Sequence, residues 1–159
     1  ERRRAITALY AFCREVDAFP DEELVWQALP GVTNSCGNLA MHVAGNLQHY
    51  IGARWGSTGY VRDRDAEFAR RDVPRAQLLA EIERTRQAVA AGLARLTPSA
   101  MEADYPEAIA ESRIRTGEYL MHLCTHFAYH LGQVDYHRRL VTGGTATVGA
   151  QSVPELARP

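Results

Sequence analysis

Histidine is the residue type of this 159-residue chain whose placement most directly points to chemistry, because all six copies fall in two short stretches. In the first stretch, His42 and His49 are seven residues apart. The second stretch runs at steps of four and then seven, through His122, His126, His130 and His137. On an α-helix, steps of four and seven return a side chain to nearly the same face. If the two helices pack together, several imidazoles converge, and imidazole is a common ligand of zinc, nickel and iron.

The second stretch offers two ways to place a histidine pair on one metal ion. A helix presents residues i and i+4 to one ion, whereas three successive positions at that spacing rotate by about 80° in all. The pair is therefore either His122 with His126 or His126 with His130. Together with one histidine from the first stretch, three neutral imidazoles would leave a fourth coordination position open, as catalytic zinc sites do. A metal held in this way lowers the pKa of a bound water or holds a thiol as thiolate.

Other kinds of catalytic site are excluded by what the chain lacks. All 18 basic residues are arginine, so no lysine is present for a Schiff base or a P-loop. The H-E-x-x-H motif of metalloproteases is absent. A di-iron carboxylate bundle needs Glu-x-x-His on two helices, and neither Glu118 nor Asp135 is in that register.

Charge, hydropathy and cysteine spacing indicate which kinds of partner and which cellular compartment to expect. The formal net charge of −1 supplies no global field that would attract nucleic acid. No run approaches the roughly 18 to 20 apolar residues that span a bilayer, so we expect no membrane segment. Three widely spaced cysteines without a CxxC pair favour reduced thiols, and we predict a cytoplasmic protein.

Helical periodicity runs through nearly the whole chain and predicts four long helices. The first should end before Phe19-Pro20, and the second should begin after Asn34 or Ser35 and continue to about Arg54. The third should start near Pro74 with Asp72 as its N-cap. Its core stripe keeps the spacing of a bundle seam and consists of Leu78, Ile82, Thr85, Val89, Leu93 and Leu96.

The last helix and the connections complete the predicted architecture. This helix should run from near Thr116 to Gly143-Gly144, which is a strong stop signal. The stretches 56–72 and 98–115 are predicted to be long connections, which permit crossovers in a bundle. We therefore expect an all-α four-helix bundle in residues 1–144 as a single domain. An extended or poorly ordered tail, 145–159, should follow it.

Three segments resemble the DinB/YfiT-like family of metal-dependent enzymes: NLAMHVAGNLQHYIG at 38–52, RDRDAEF at 62–68 and THFAYHLGQVDYHRR at 125–139. The resemblance covers nearly the whole chain and implies an up-down-down-up four-helix bundle. It also implies one divalent metal, zinc or nickel with iron as a further candidate, held by a histidine of the second helix and an HxxxH pair of the last. On this chain those ligands are His42, His126 and His130, which leaves His49, His122 and His137 as extra histidines.

The resemblance also implies a reaction class, because some relatives resemble transferases that use bacillithiol, mycothiol or a similar small thiol. We therefore expect a thiol-dependent S-transferase that acts on a small-molecule substrate. A metal-dependent hydrolase is the alternative, and a non-catalytic metal- or ligand-binding protein is a third interpretation. The family further suggests a homodimer, for which three aromatic residues near loop ends could serve as anchors: Trp26, Trp55 and Tyr60.

Several residues near the predicted metal helices are candidates for supporting roles. His49 and Glu118 are candidate catalytic groups, although neither is an obvious general base. Asn46 lies one turn after His42 and is a candidate hydrogen-bond partner of a metal ligand. Arginines after the second helix could bind the carboxylates of a thiol co-substrate: Arg54, Arg62 and Arg64.

Overall fold

The computed structural model describes residues 2–149 and consists of helices joined by loops. Seven α-helices and one π-helical segment follow in chain order: α1 (Arg2–Asp17), α2 (Glu22–Trp26), α3 (Cys36–Leu47), the π-helical segment (Gln48–Ala53), α4 (Arg64–Ala69), α5 (Arg75–Ala94), α6 (Pro98–Glu102) and α7 (Thr116–Thr142). Within residues 2–149 there is no β-strand, only isolated β-bridges. The predicted all-α class is therefore confirmed.

The four long helices pack around one apolar core. Helix α1 packs against α5 and α7, and α3 packs against the same two helices. Each helix contributes buried apolar side chains, among them Phe12, Val43, Val89 and Leu123. The Phe12 ring stacks on Phe127 with their centroids 5.8 Å apart. Since α3 and α7 are neighbours, the two histidine stretches of the sequence lie on helices that touch.

Local signals in the sequence set the ends of the long helices. Helix α1 ends at Asp17, just before the predicted stop at Phe19-Pro20. The Ser35 side chain caps α3 by accepting a hydrogen bond from the Asn38 N–H at 3.3 Å. Helix α7 ends at Gly143, whose φ of 70° is the left-handed conformation that glycine adopts without strain. These three predictions are confirmed.

Both predicted connections contain a short helix that the sequence analysis missed. Helix α4 lies within 56–72 and α6 lies within 98–115. Side-chain caps start both helices, because Asp63 accepts from the Ala66 N–H at 2.9 Å and Thr97 from the Ala100 N–H at 3.1 Å. A helix of five or six residues is too short to display a 3.6-residue apolar period.

The start of α5 corrects another prediction. Asp72 is not the N-cap, because its φ of 56° is left-handed and Pro74 directly precedes the first turn. An N-cap residue has extended backbone, which Pro74 supplies with φ −54° and ψ 139°. The predicted core stripe of this helix from Leu78 to Leu96 is buried, as expected.

The second long helix changes its hydrogen-bond pattern partway along. It continues through the predicted range, but Gln48–Ala53 forms a π-helical segment. Helix α5 approaches this segment closely, since a Cβ on Gly92 would lie 2.7 Å from the Ile51 carbonyl oxygen. Short π-helical segments are frequent at functional sites. This one carries His49 and Tyr50.

The segment after α7 turns back onto α1. The fully buried Glu15 carboxylate accepts hydrogen bonds from the Gly149 N–H and from Arg138 Nε, each at 2.6 Å. Arg14 Nε donates to the Val148 carbonyl at 2.8 Å. The rest of the predicted tail, 150–159, lies outside the described residues. Among helices in the described part of the chain, none has the length and apolar character needed to span a membrane.

Candidate metal centre

The two histidine stretches meet where α3 packs against α7. His42 Nε2 lies 3.4 Å from His126 Nε2, which lies 3.1 Å from His130 Nε2. Ligand nitrogens of all three residues lie within 4.8 Å of one another. Three ligands at about 2.0–2.1 Å from a tetrahedral zinc ion are separated by about 3.3 Å from each other. The spacing of these nitrogens therefore suits one tetrahedral ion.

The other three histidines lie outside this group. His122 is exposed, and its ring stacks beside His126 with centroids 6.0 Å apart. His49 belongs to the π-helical segment, and its Nε2 lies 3.2 Å from Glu107 Oε1. His137 is buried elsewhere in the core, where its Nε2 donates to the Gln27 carbonyl at 2.8 Å. Of the two pairings that spacing left open, the structure brings together His126 and His130.

A buried glutamate orients the histidine of α3. His42 Nδ1 donates to Glu67 Oε2 at 3.0 Å, which leaves the Nε2 lone pair directed at α7. Glu67 is only 3% exposed and also accepts two hydrogen bonds from Arg62, with Nε 2.7 Å from Oε1 and Nη2 2.8 Å from Oε2. Carboxylate–histidine–metal triads of this kind fix the tautomer and raise the basicity of the ligand.

Glycine makes room for that carboxylate. Gly45 lies on α3 next to the Glu67 side chain, and a Cβ at this position would overlap the carboxylate. Any larger residue would push Glu67 away from His42. The sequence A-G-N in the first histidine stretch therefore places a glycine where α4 brings the carboxylate close to α3.

The fold and this site agree with a match to a known family. The family model for the DinB superfamily matches residues 4–134, which is more than half of the chain and includes all three converging histidines. The chain belongs to the DinB superfamily. A search of curated proteins finds no match. The resemblance drawn from the histidine motifs is thus confirmed at the level of the family.

Burial keeps two histidines of this DinB-superfamily site neutral. Burial, together with the neighbouring His130 and His42, lowers the pKa of His126 from 6.5 to about 4. Burial also lowers the pKa of His130, although its hydrogen bond to Gln133 opposes that shift. His130 Nδ1 donates to Gln133 Oε1 at 2.6 Å, so its Nε2 is left as the free lone pair. Neutral imidazoles with free Nε2 atoms are the form that binds metal.

The carboxylate beside His42 is held in its charged form. Burial by itself would raise the pKa of Glu67, but hydrogen bonds from Arg62 and His42 outweigh it and the pKa is lowered. Glu67 is the main functional residue that sequence reasoning missed. It lies inside the segment RDRDAEF, whose resemblance to the family was the available signal. The hydrogen bond to His42 that we expected from Asn46 comes instead from Glu67.

The remaining candidate residues lie around this centre in separate environments. Arg62 donates hydrogen bonds to Glu67, and the Arg64 guanidinium lies 5.2 Å from the centroid of the Phe68 ring. Arg54 forms an ion pair with Glu107, the same carboxylate that contacts His49. Glu118 is exposed in the first turn of α7.

We expect the metal-free protein to lose stability as the pH falls from about 6.5 to about 4. In that window the unfolded chain protonates histidines whose pKa is 6.5, whereas folded His126 stays neutral down to about 4. Protons therefore favour the unfolded state, and His130 and His137, whose pKa values are also lowered, act in the same direction. Urea unfolding in chelator at about pH 7.5 and about pH 5 measures the effect. Equal midpoints would contradict it, and His126→Gln should reduce the difference.

Proposed function

We propose that this protein is a metal-dependent enzyme that binds one divalent cation through His42, His126 and His130. Zinc and nickel are the first candidates and iron is the third. The observation that carries the proposal is the convergence of ligand nitrogens from three histidines within 4.8 Å of one another, with His42 oriented by a buried glutamate. Among the described residues, three side chains make up this candidate metal-binding group. Structural zinc sites close with four protein ligands, whereas three leave a position for water or substrate.

The charge of the site favours an anionic ligand in that position. Imidazole ligands are neutral when they bind metal. Glu67 is the carboxylate that contacts His42, and Arg62 offsets its negative charge through two hydrogen bonds. The surrounding side chains therefore leave the double positive charge of a divalent ion uncompensated. A bound ion of this kind stabilises a thiolate at neutral pH.

We propose that the reaction is a thiol-dependent S-transfer, in which a low-molecular-weight thiol adds to an electrophilic small molecule. The family resemblance and the net charge of the site support it. In this reaction the three histidines hold the ion, while Glu67 and Arg62 hold His42 in place. His49 and Glu118 remain the candidates for moving a proton.

Metal-loaded protein is expected to accelerate the reaction of a small thiol with 1-chloro-2,4-dinitrobenzene near neutral pH. In this substitution the thiol sulfur replaces chlorine, and chloride and the thiol proton are released to solvent. A free thiol with pKa about 8.5 is only about 3% thiolate at pH 7, so full ionisation alone gives up to about 30-fold. Chelator should remove this acceleration while circular dichroism shows that the helices persist. Restored zinc or nickel should return it. Cysteine, bacillithiol and mycothiol are the thiols to compare.

Each other outcome of that assay selects another function. Turnover that persists in folded, metal-free protein would contradict metal activation. Metal-dependent hydrolysis of an ester probe, with no thiol addition, would replace the transferase with the hydrolase. Stoichiometric metal binding without either activity would favour a non-catalytic binding protein.

We also propose that the protein is a homodimer. The family resemblance suggests it, and α7 exposes four large apolar side chains that a second copy could cover: Met121, Tyr129, Tyr136 and Leu140. The aromatic residues first considered as anchors are only half exposed or less.

Light scattering should give about 35 kDa, twice the 17.7 kDa of one chain. Tyr136→Arg should halve that mass, whereas Tyr10→Arg on α1 should not. A wild-type monomer at micromolar concentration would refute the dimer.

A further inference from the structure

One helical turn from His42, the side-chain oxygen of a buried amide has no hydrogen-bond partner. Asn46 is 8% exposed, and its Oδ1 is buried with no partner. Leaving a buried carbonyl oxygen unpaired costs free energy, so native proteins rarely retain such a group without a reason. A residue that breaks a packing rule next to a candidate active site is more often there for function than for stability.

Its position on α3 shows where the amide faces. His42 precedes Asn46 by one helical turn, and Tyr50 follows it by about one turn. Both neighbours face α7, because the His42 ring lies 5.3 Å from His126 and the Tyr50 ring lies 5.2 Å from Tyr119. Asn46 therefore lies on the face of α3 that carries both ring contacts to α7, one turn from His42.

Along α7, a row of three rings lies opposite this face of α3. The His122 ring stacks on His126 at 6.0 Å with an interplanar angle of 28°. It also stacks on Tyr119 at 5.8 Å and 15°. On the α3 side, the Arg62 guanidinium lies 5.7 Å from the Tyr50 ring centroid. The wall beside the metal centre is thus aromatic. The two arginines near it, Arg62 and Arg54, are each paired with a glutamate, Glu67 and Glu107 respectively.

We propose that Asn46, Tyr50, Tyr119 and His122 form a ligand subsite beside the metal centre for a flat, conjugated molecule that carries an N–H or O–H group. The conjugated part packs on the row of rings, and the N–H or O–H donates to Asn46 Oδ1. Because the charges of Arg62 and Arg54 are both already paired, the subsite does not select a second negative charge. The inference rests on the proposed function and names the substrate class of the same site.

Thermal unfolding tests the role of Asn46 with or without metal. Asn46→Leu keeps the approximate volume and removes the unpaired oxygen, so the melting temperature should rise by about 2–6 °C. Asn38→Leu is the matched control on the same helix. Asn38 is equally buried, but its Nδ2 donates to the carbonyls of Glu67, Phe68 and Arg70. The control variant should melt at a lower temperature than wild type.

Hydroxamates that reach the metal test the subsite itself. In zinc-loaded wild type, benzohydroxamate should bind at least about tenfold tighter than acetohydroxamate, because only the former has a ring to stack. Salicylhydroxamate carries an additional O–H group and should bind about tenfold more tightly than benzohydroxamate. Asn46→Leu should remove the affinity gained from the O–H group of salicylhydroxamate and keep the affinity gained from the ring. His122→Ala should reduce the affinity gained from the ring.

The outcomes separate this inference from the metal assignment. Failure of wild type to bind zinc would refute the proposed function, while the melting temperature of Asn46→Leu still decides whether Asn46 is structural. A lower melting temperature for that variant would overturn the subsite. A higher melting temperature with unchanged hydroxamate affinities would overturn it too.

Discussion

Replacing His126 with alanine is expected to abolish stoichiometric metal binding, with affinity for zinc falling by more than about 100-fold. His126 Nε2 is close to both of the other proposed ligand atoms, 3.4 Å from His42 Nε2 and 3.1 Å from His130 Nε2. Without it only two imidazoles remain, and a structure with two protein ligands does not hold zinc tightly. Loss of a residue that merely supports a ligand costs 10–100-fold, so loss of a ligand should cost more.

His122→Ala is the matched control for that experiment. His122 lies one turn earlier on the same helix and stacks beside His126, but it is exposed and outside the converging group. Its removal should leave zinc affinity within about threefold of wild type. Elemental analysis and titration calorimetry measure both variants, with circular dichroism to confirm their fold. The reverse result, in which only His122→Ala loses the metal, would show that the ligand pair is misassigned.

Glu67→Gln is expected to lower zinc affinity by about 10–100-fold without removing any ligand. The amide is neutral, so it polarises His42 less and cannot offset the charge of Arg62. That guanidinium then remains unpaired near the ion, and its like charge disfavours a divalent cation. Gly45→Ala should have a similar effect, since a Cβ there displaces the carboxylate.

The chain contains its own control for this prediction. Glu107 contacts a histidine and pairs with an arginine, as Glu67 does, but its partners are His49 and Arg54. Glu107→Gln should therefore leave zinc affinity nearly unchanged. If both glutamate variants lose affinity equally, the effect comes from overall charge rather than from the orientation of His42. Equal affinity in wild type and Glu67→Gln would contradict the role assigned to this carboxylate.

The long helices could be predicted from sequence because their apolar periods extend over several turns. Ser35 and Gly143 also carry local signals that set helix ends. The short helices α4 and α6 were missed because five or six residues show no period and their caps resemble ordinary turn residues. Asp72 shows the converse error, since a good N-cap residue in a left-handed conformation cannot start a helix.

The candidate site was accessible from sequence only in part. Histidine spacing indicated a site between two helices, but it left open whether His122 or His130 paired with His126, and the family resemblance then selected His130. The partner of His42 could not be found from spacing, because Glu67 lies 25 residues away on a different helix. Only tertiary packing, together with the small size of Gly45, brings that carboxylate to the imidazole.

The central claim is that three histidines from two helices hold one metal ion. The most direct test is anomalous diffraction at the zinc absorption edge from crystals of the zinc-loaded protein. The account predicts one anomalous peak per chain at about 2.0–2.1 Å from the Nε2 atoms of His42, His126 and His130. A peak at His122 instead of His130, a peak at any other place, or no peak in crystals grown with excess zinc would contradict it.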